Sequence, residues 1–101
     1  MKILIVEDEP KTGEYLRQGL REAGFLVELA QTGIDGLHLA EQGDFELVIL
    51  DVMLPGLNGW QVLEALRKRG LNMPAMFLTA ALYKFVDLPD FEALQAPLQA
   101  C

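Results

Sequence analysis

Acidic side chains follow two apolar stretches of the sequence at the point where each stretch ends. Glu7 and Asp8 come directly after the run 2–6, and Asp51 comes directly after the run 45–50. An ionised carboxylate at the end of a buried strand is unfavourable unless solvent, a cation or a reaction uses it. Three carboxylates that meet at one edge of a sheet offer the hard oxygen ligands that Mg²⁺ prefers.

The chemistry that these side chains permit is phosphoryl transfer to a carboxylate. Two unit charges about 4 Å apart repel by about 4 kcal/mol at an effective dielectric constant of about 20, so we expect Mg²⁺ to neutralise the cluster. A carboxylate beside such a cation can attack a phosphoryl group. We predict that Asp51 is the nucleophile and that the Thr79 hydroxyl donates a hydrogen bond to the new phosphoryl oxygens. The simpler alternative is that Asp51 only begins the turn before Pro55.

The elements that must position these residues alternate along the chain. Strands are predicted at 2–6, 25–30, 45–51 and 74–79, and helices at 11–23, 34–42 and 60–69. The connections are long enough for right-handed crossovers into a parallel sheet. The predicted fold class is α/β: a three-layer, doubly wound parallel sheet of the flavodoxin-like type with strand order 2-1-3-4. Its switch point, between the first and third strands, would bring the three acids together.

Each predicted helix has one apolar face that can cover the sheet. These faces consist of Leu16, Leu20 and Ala23, then Ile34, Leu37 and Ala40, then Val62, Leu63 and Leu66. We predict that four large side chains pack in the interior: Met53, Trp60, Met73 and Met76. The basic residues Arg67, Lys68 and Arg69 are predicted to lie at a solvent-exposed helix end. Gly56 and Gly59 are predicted to serve backbone conformation near the site. His38 has no Cys or His companion and is predicted to be a surface residue, not a metal ligand.

Composition limits the function classes that remain. The chain has 101 residues, enough for one domain, and its formal net charge of −7 argues against a nucleic-acid surface. No apolar run approaches the roughly 20 residues of a membrane span, and the start of the chain leads straight into a strand, unlike a signal peptide. The single cysteine, Cys101, cannot form an internal disulfide. We therefore expect a cytoplasmic protein with no membrane partner and no direct nucleic-acid contact.

Residues 1–80 resemble the receiver domain of two-component response regulators, and four motifs carry the resemblance. These are KILIVEDE at 2–9, LVILDVMLPG at 47–56, NGW at 58–60 and FLTA at 77–80. Through residues 11–20 and 33–40 the chain is most similar to winged-helix transcriptional regulators of the heavy-metal or copper-responsive type. The expected fold is therefore receiver-like.

The resemblance implies a role for each site residue. Asp51 would be the phosphoacceptor, and Glu7, Asp8, Asp51 and the backbone carbonyl of Met53 would hold Mg²⁺. Thr79 would be the switch residue. A sensor histidine kinase would be the phosphodonor, docking near the first helix and the loops at the site. The chain would be a signalling domain and not an enzyme, apart from catalysing its own phosphotransfer and dephosphorylation.

The resemblance ends after Ala80. The family continues with a fourth helix, a fifth strand that ends in Lys-Pro and a fifth helix, whereas residues 81–101 follow no such pattern. We expect a receiver-like core at 1–80 and a divergent tail at 81–101, with no recognisable fifth strand, final helix or DNA-binding domain. Asp87 is predicted to cap a short helix in this tail. Either this tail covers the fourth strand, or the fourth strand is an exposed edge through which the chain can self-associate.

Three functions compete at this stage. The first is a phosphoacceptor domain that is a truncated or altered form of a longer regulator. It would be impaired in switching, because the family's lysine contact with the phosphoryl group, of a type worth roughly 1.5 to 3 kcal/mol, is missing. The second is a non-switching binding or decoy module, or an inactive fragment of a DNA-binding regulator. The third is a metal-dependent phosphohydrolase, which would ordinarily need a second acid at the position of Met53.

Overall fold

A five-stranded sheet forms the centre of the fold in the computed structural model, which describes residues 1–78 and 83–86. The strands are β1 (Lys2–Val6), β2 (Leu26–Ala30), β3 (Leu47–Asp51), β4 (Ala75–Leu78) and β5 (Tyr83–Val86). The helices are α1 (Pro10–Glu22), α2 (Gly33–Gln42) and α3 (Gly59–Lys68). The order in the sheet is β2-β1-β3-β4-β5, and the first four strands are parallel. The predicted order 2-1-3-4 is therefore confirmed.

The register of the parallel strands sets where their carboxyl ends lie. Val6 of β1 is opposite Leu50 of β3 on one side and Ala30 of β2 on the other. Because the strands end at the same level, Glu7 and Asp51 leave the sheet at one edge. The functional edge therefore follows from strand pairing alone.

Helices cover both faces of the sheet, as the doubly wound arrangement requires. On the face of α2 and α3, side chains such as Val62, Leu63 and Leu66 are at most 1% exposed, and the Trp60 ring stacks on Phe77 with centroids 4.4 Å apart. The face of α1 has a separate core made of Ile3, Ile5, Ile49 and Leu78, with Leu16 and Leu20 packed against it. The predicted inward faces of the first and third helices thus contribute to these two cores.

Polar residues at the helix starts define where each helix begins. The Glu9 carboxylate accepts the N–H of Lys11 at 2.9 Å before Pro10 opens α1. The Thr32 hydroxyl accepts the N–H of the third residue of α2 at 3.1 Å. Asn58 forms a capping box at the start of α3. These caps satisfy backbone donors that have no partner within the first turn.

Three side chains differ from their predicted environment. Ile34 is 59% exposed and Met53 is 78% exposed, so neither packs in the core. The buried stripe of α2 passes through positions 33, 36, 37 and 40, which leaves Ile34 beside it. Arg67 does not lie at a solvated helix end. Its guanidinium donates to the carbonyl oxygens of Leu71 and Met73, both at 2.8 Å.

The segment after β4 contains a short strand that differs from the family pattern. β5 is antiparallel to β4, with Tyr83 opposite Leu78 and Val86 opposite Ala75. Only four residues separate the two strands, which is too short for a crossover helix, so β5 is not the parallel fifth strand of the family. Of the two predicted alternatives, a covered and an exposed fourth strand, the described residues have β4 paired with β5.

Several predictions concern residues that the structure does not describe. Thr79, the short helix near Asp87 and Cys101 lie outside the described residues. None of the described helices combines the length and apolar character needed to cross a membrane. The cytoplasmic location and the self-association stay predictions.

Candidate functional site

Three carboxylates meet at the carboxyl edge of the sheet. Glu7 and Asp8 follow β1, Asp51 ends β3, and one ligand oxygen from each lies within 4.8 Å of the others. Glu7 is buried, Asp51 is half-buried and Asp8 is exposed. The convergence that the sequence predicts is therefore present, with one acid inside the fold and one facing solvent.

Glu7 is held in an unfavourable environment for an ionised carboxylate. Burial and, to a smaller extent, the neighbouring carboxylate of Asp51 raise the pKa of Glu7 from 4.5 to about 7. The N–H of Glu9 acts in the opposite direction, because it donates to Glu7 Oε2 at 3.1 Å and favours the charged form. A cation near these oxygens would lower this pKa again.

Asp51 is oriented by the loop that follows it, which we call the β3–α3 loop (residues 52–58). The N–H of Met53 donates to Asp51 Oδ1 at 3.1 Å. Such a bond is expected of an aspartate that begins a turn. The alternative that Asp51 only begins the turn before Pro55 therefore explains this one contact. It does not explain why two acids from another strand lie beside it.

The β3–α3 loop is fixed at its start, middle and end. The N–H of Val52 donates to the carbonyl of Leu78 at 3.3 Å, and the carbonyl of Val52 accepts from the N–H of Gly59 at 3.1 Å. Leu54 is 7% exposed and packs in the core. Asn58 and Gln61 bond each other's backbone N–H at 2.9 Å, which fixes the end of the loop. The backbone of Met53 is thus held beside Asp51.

The donor set fits Mg²⁺ better than a softer metal. The atoms that converge are carboxylate oxygens, and Mg²⁺ is commonly held by one or two carboxylates together with waters and phosphate oxygens. The side chain of Met53 points to solvent, which is consistent with the prediction that only its carbonyl serves the site. His38 is exposed on α2 and is not part of this cluster.

Two glycines near the site have a function that sequence reasoning missed. Gly33 and Gly59 do not have positive φ values, so their conformation would suit other residues, whereas Gly56 has φ +75°. A methyl group at Gly59 would overlap the carbonyl oxygen of Asp51, and one at Gly33 would lie 2.6 Å from the carbonyl oxygen of Leu57. Position 59 therefore requires glycine because the backbone of Asp51 passes close to it, and not because of its backbone conformation. A glycine directly after a helix-capping residue was the available signal.

A shallow groove lies along the second half of α1. It has a volume of about 430 Å³ and is lined by Tyr15, Leu16, Gln18, Gly19, Leu20 and Glu22. Tyr15 beside it is 79% exposed, so its ring is accessible to a partner. The groove is therefore a candidate for contact with another protein.

Comparison with known proteins identifies a family and several relatives. Residues 3–89 match the family described as response regulator receiver domain. The transcriptional regulatory protein CusR of Escherichia coli strain K12 is 59% identical over 80 residues, which are 79% of this chain and 35% of that protein. The transcriptional activator protein IrlR of Burkholderia pseudomallei strain 1026b is 61% identical over 80 residues, which are 79% of this chain and 34% of that protein. The chain thus spans about a third of the length of these relatives.

A solved structure extends the similarity to the fold. The response regulator protein TrrA of Thermotoga maritima, in complex with Mg²⁺ and BeF, superposes with a TM-score of 0.75 at 29% identity. The match covers 98% of this chain and 96% of that one. The similarity therefore extends over the residues that carry the three acids.

Proposed function

The chain belongs to the family of two-component response regulator receiver domains, and on this premise we propose that Asp51 accepts a phosphoryl group from a sensor histidine kinase. Glu7, Asp8 and Asp51 would hold Mg²⁺, with the carbonyl of Met53 as a further ligand. The observation that carries the proposal is the convergence of the three carboxylates at one edge of the sheet. A buried Glu7 with a raised pKa supports it, because a cation would relieve the repulsion there.

In the proposed reaction, one oxygen of Asp51 forms a bond to phosphorus while the bond from phosphorus to the donor's leaving group breaks. Bound Mg²⁺ would offset the negative charge on the transferred oxygens. The N–H of Met53 keeps the Asp51 carboxylate turned toward the edge of the sheet. The proposed part of Thr79, a residue outside the described structure, is a hydrogen bond to the phosphoryl group.

We propose that the kinase docks on the outer face of α1. This helix begins three residues after Glu7, so a protein that covers its length from the groove beside Tyr15 to its first turn would reach the acceptor edge. The exposed tyrosine offers a large apolar contact area with a polar tip, as is common in protein interfaces. The signalling output that we propose is transcriptional regulation, because the relatives are named as transcriptional regulators.

A second candidate is a receiver-like module, with a core at 1–80 and a divergent tail, that binds metal but does not switch. The observation in its favour is β5, which pairs antiparallel with β4 after four intervening residues. A strand reached through a helix can shift with that helix, whereas the four residues between β4 and β5 are too few for a crossover helix. Under this candidate, phosphorylation of Asp51 would be slow or without structural effect.

The experiment that tests the first proposal is phosphorylation by a small donor. The chain is incubated with Mg²⁺ and acetyl phosphate, and its intact mass is measured. We expect the mass of one phosphoryl group to be added, and this gain to disappear when Mg²⁺ is chelated. Asp51→Asn should abolish it, whereas Asp44→Asn, a change at an exposed aspartate just before β3, should leave it intact. An equal gain in the Asp51→Asn variant would refute the proposal.

Hydrogen exchange separates the two candidates. If the domain switches, acetyl phosphate should change amide exchange in β4 and β5 as well as around Asp51. If it does not, the change should be confined to the acidic edge and the β3–α3 loop.

A further inference from the structure

The β3–α3 loop is held between the first residues of two different helices. Gly59, the first residue of α3, lies against the backbone of Asp51 and Val52. Gly33, the first residue of α2, lies against Leu57 near the other end of the loop. Both glycines are buried, and neither has a positive φ. What distinguishes these positions is therefore the space that they leave for the loop.

The distances show how little room each position has. A methyl group at Gly33 would lie 2.6 Å from the carbonyl oxygen of Leu57 and 2.8 Å from Val62 Cγ2. A methyl group at Gly59 would overlap the carbonyl oxygen of Asp51 and lie 3.1 Å from Val52 Cα. Most of these neighbours are backbone atoms, which cannot rotate away as a side chain can. A larger residue at either position must therefore displace the loop.

We propose that Gly33 and Gly59 are positioning residues for the metal site. Gly59 leaves room for the backbone of Asp51 and Val52, and Gly33 leaves room for Leu57 at the other end of the loop that carries Met53. This inference rests on the proposed Mg²⁺ site. Mg²⁺ requires nearly ideal octahedral geometry with short metal–oxygen distances, whereas Ca²⁺ accepts six to eight ligands in flexible arrangements. A displaced loop should therefore weaken Mg²⁺ binding more than Ca²⁺ binding. A glycine that served only packing would produce no such difference between the two ions.

The test compares Gly33→Ala and Gly59→Ala with a matched control at the other end of α2. The control is Gly43→Ala, because a methyl group there would lie 2.9 Å from the Phe45 ring, far along the helix from the loop. Dissociation constants for Mg²⁺ and for Ca²⁺ are measured by NMR titration of the full chain, and the Tm of each variant is measured without metal.

We expect the Kd for Mg²⁺ to rise about tenfold in the Gly33→Ala and Gly59→Ala variants, the usual size of effect when a group that orients a ligand is changed. The Kd for Ca²⁺ should rise less, and Gly43→Ala should leave both values within about twofold of wild type even if its Tm falls.

Because the single variants can lose stability, a double variant that relieves part of the steric clash at Gly33 is also tested. Gly33→Ala/Val62→Ala removes the Val62 methyl contact and keeps the contact with the Leu57 carbonyl, so it should fold more readily and still bind Mg²⁺ weakly. Unchanged Mg²⁺ affinity in folded Gly33 or Gly59 variants would overturn the positioning role while leaving the proposed function intact. Equal losses of Mg²⁺ and Ca²⁺ affinity would also overturn it. A wild-type chain that binds no Mg²⁺ would instead refute the proposed function itself.

Discussion

Glu7 carries the largest electrostatic cost of the three site acids, because it is buried beside two other carboxylates. Burial, together with the neighbouring acids, raises the pKa of Glu7 to about 7, so without metal its carboxyl group is largely protonated below that pH. Metal binding requires the ionised form. Proton and metal therefore compete at this side chain.

The pH dependence of stability follows from this competition. In the metal-free protein, folded Glu7 keeps a proton between pH 4.5 and about 7 that the unfolded chain releases, so the free energy of unfolding falls as pH rises through this range. The fall that comes from this group is at most about 3 kcal/mol, and solvent screening reduces it. Glu7→Gln should remove this part of the slope. The measurement is urea unfolding at several pH values for both proteins in EDTA.

Added Mg²⁺ provides the control for this prediction. The ion binds the ionised carboxylates, so the wild-type slope between pH 4.5 and 7 should become shallower, whereas the variant should respond less. Parallel stability curves for wild type and Glu7→Gln across that range would contradict the interpretation.

At the residue scale, the types and order of the acids were enough to predict their convergence. Glu7, Asp8 and Asp51 each follow an apolar strand, and parallel pairing brings strand ends together. The different exposure of the acids could not be predicted, because it depends on how α1 and the loops lie over the edge. The exposed side chain of Met53 was missed for a related reason: an apolar residue in a loop is buried only if the loop turns it inward.

The α3–β4 connection shows how one side chain can hold two elements together. Arg67 near the end of α3 donates to the carbonyls of Leu71 and Met73, which precede β4. Hydrogen bonds from a charged donor to these part-buried acceptors compensate for the water that the carbonyls lose on folding. This side chain therefore fixes the approach to β4.

Arg67→Ala should lower the free energy of unfolding by about 1.5 to 3 kcal/mol, because the change leaves two carbonyls without this donor. Lys68→Ala is the matched control, since Lys68 is the next residue and its side chain is 75% exposed. The control should stay within about 0.5 kcal/mol of wild type. Chemical denaturation of the three proteins measures the difference, and similar losses for both variants would show that Arg67 has no special role.

The proposed docking of the kinase on the outer face of α1 can be tested by changing Tyr15. Tyr15→Ala should slow phosphoryl transfer from a sensor histidine kinase about tenfold or more, because large exposed aromatic residues often dominate interface energies. Phosphorylation by acetyl phosphate should not change, since Tyr15 is not one of the three site acids. Gln42→Ala, on the exposed part of α2, serves as control. Equal rates with the kinase for all three proteins would exclude this face as the docking site.

At the element scale, the three helices and four parallel strands were predictable from apolar runs and glycine or proline boundaries. Gly24 and Gly70 have φ values of +97° and +76°, and each follows the end of a helix, as glycines at such positions commonly do. The strand β5 was not predictable, because a four-residue strand at a sheet edge depends on pairing with β4 more than on its own sequence. The exposure of Ile34 depended on the rotation of α2, which a short apolar pattern does not determine.

At the scale of the whole molecule, the sheet brings Asp51 beside two acids that precede it by 43 and 44 residues in the sequence. The repulsion among them opposes folding when no cation is present. An ion that binds only the folded chain stabilises it by mass action. The acidic edge therefore couples the stability of the domain to the metal.

Mg²⁺ at about 100 times its Kd should raise the free energy of unfolding by about 2.7 kcal/mol, and EDTA should reverse the gain. Thermal unfolding with and without the ion measures this, and Na⁺ at equal ionic strength controls for screening. Asp51→Asn should reduce the gain because it removes one of the three carboxylates. A Tm that responds equally to Na⁺ and Mg²⁺ would mean that no specific site exists.

The most direct measurement is the location of the phosphoryl group on the chain. After incubation with Mg²⁺ and acetyl phosphate, the protein is digested under acidic conditions and the labelled peptide is sequenced by mass spectrometry. We predict a base-labile phosphoryl group on Asp51. A group found on His38 or Thr79, with Asp51 unmodified, would contradict the account.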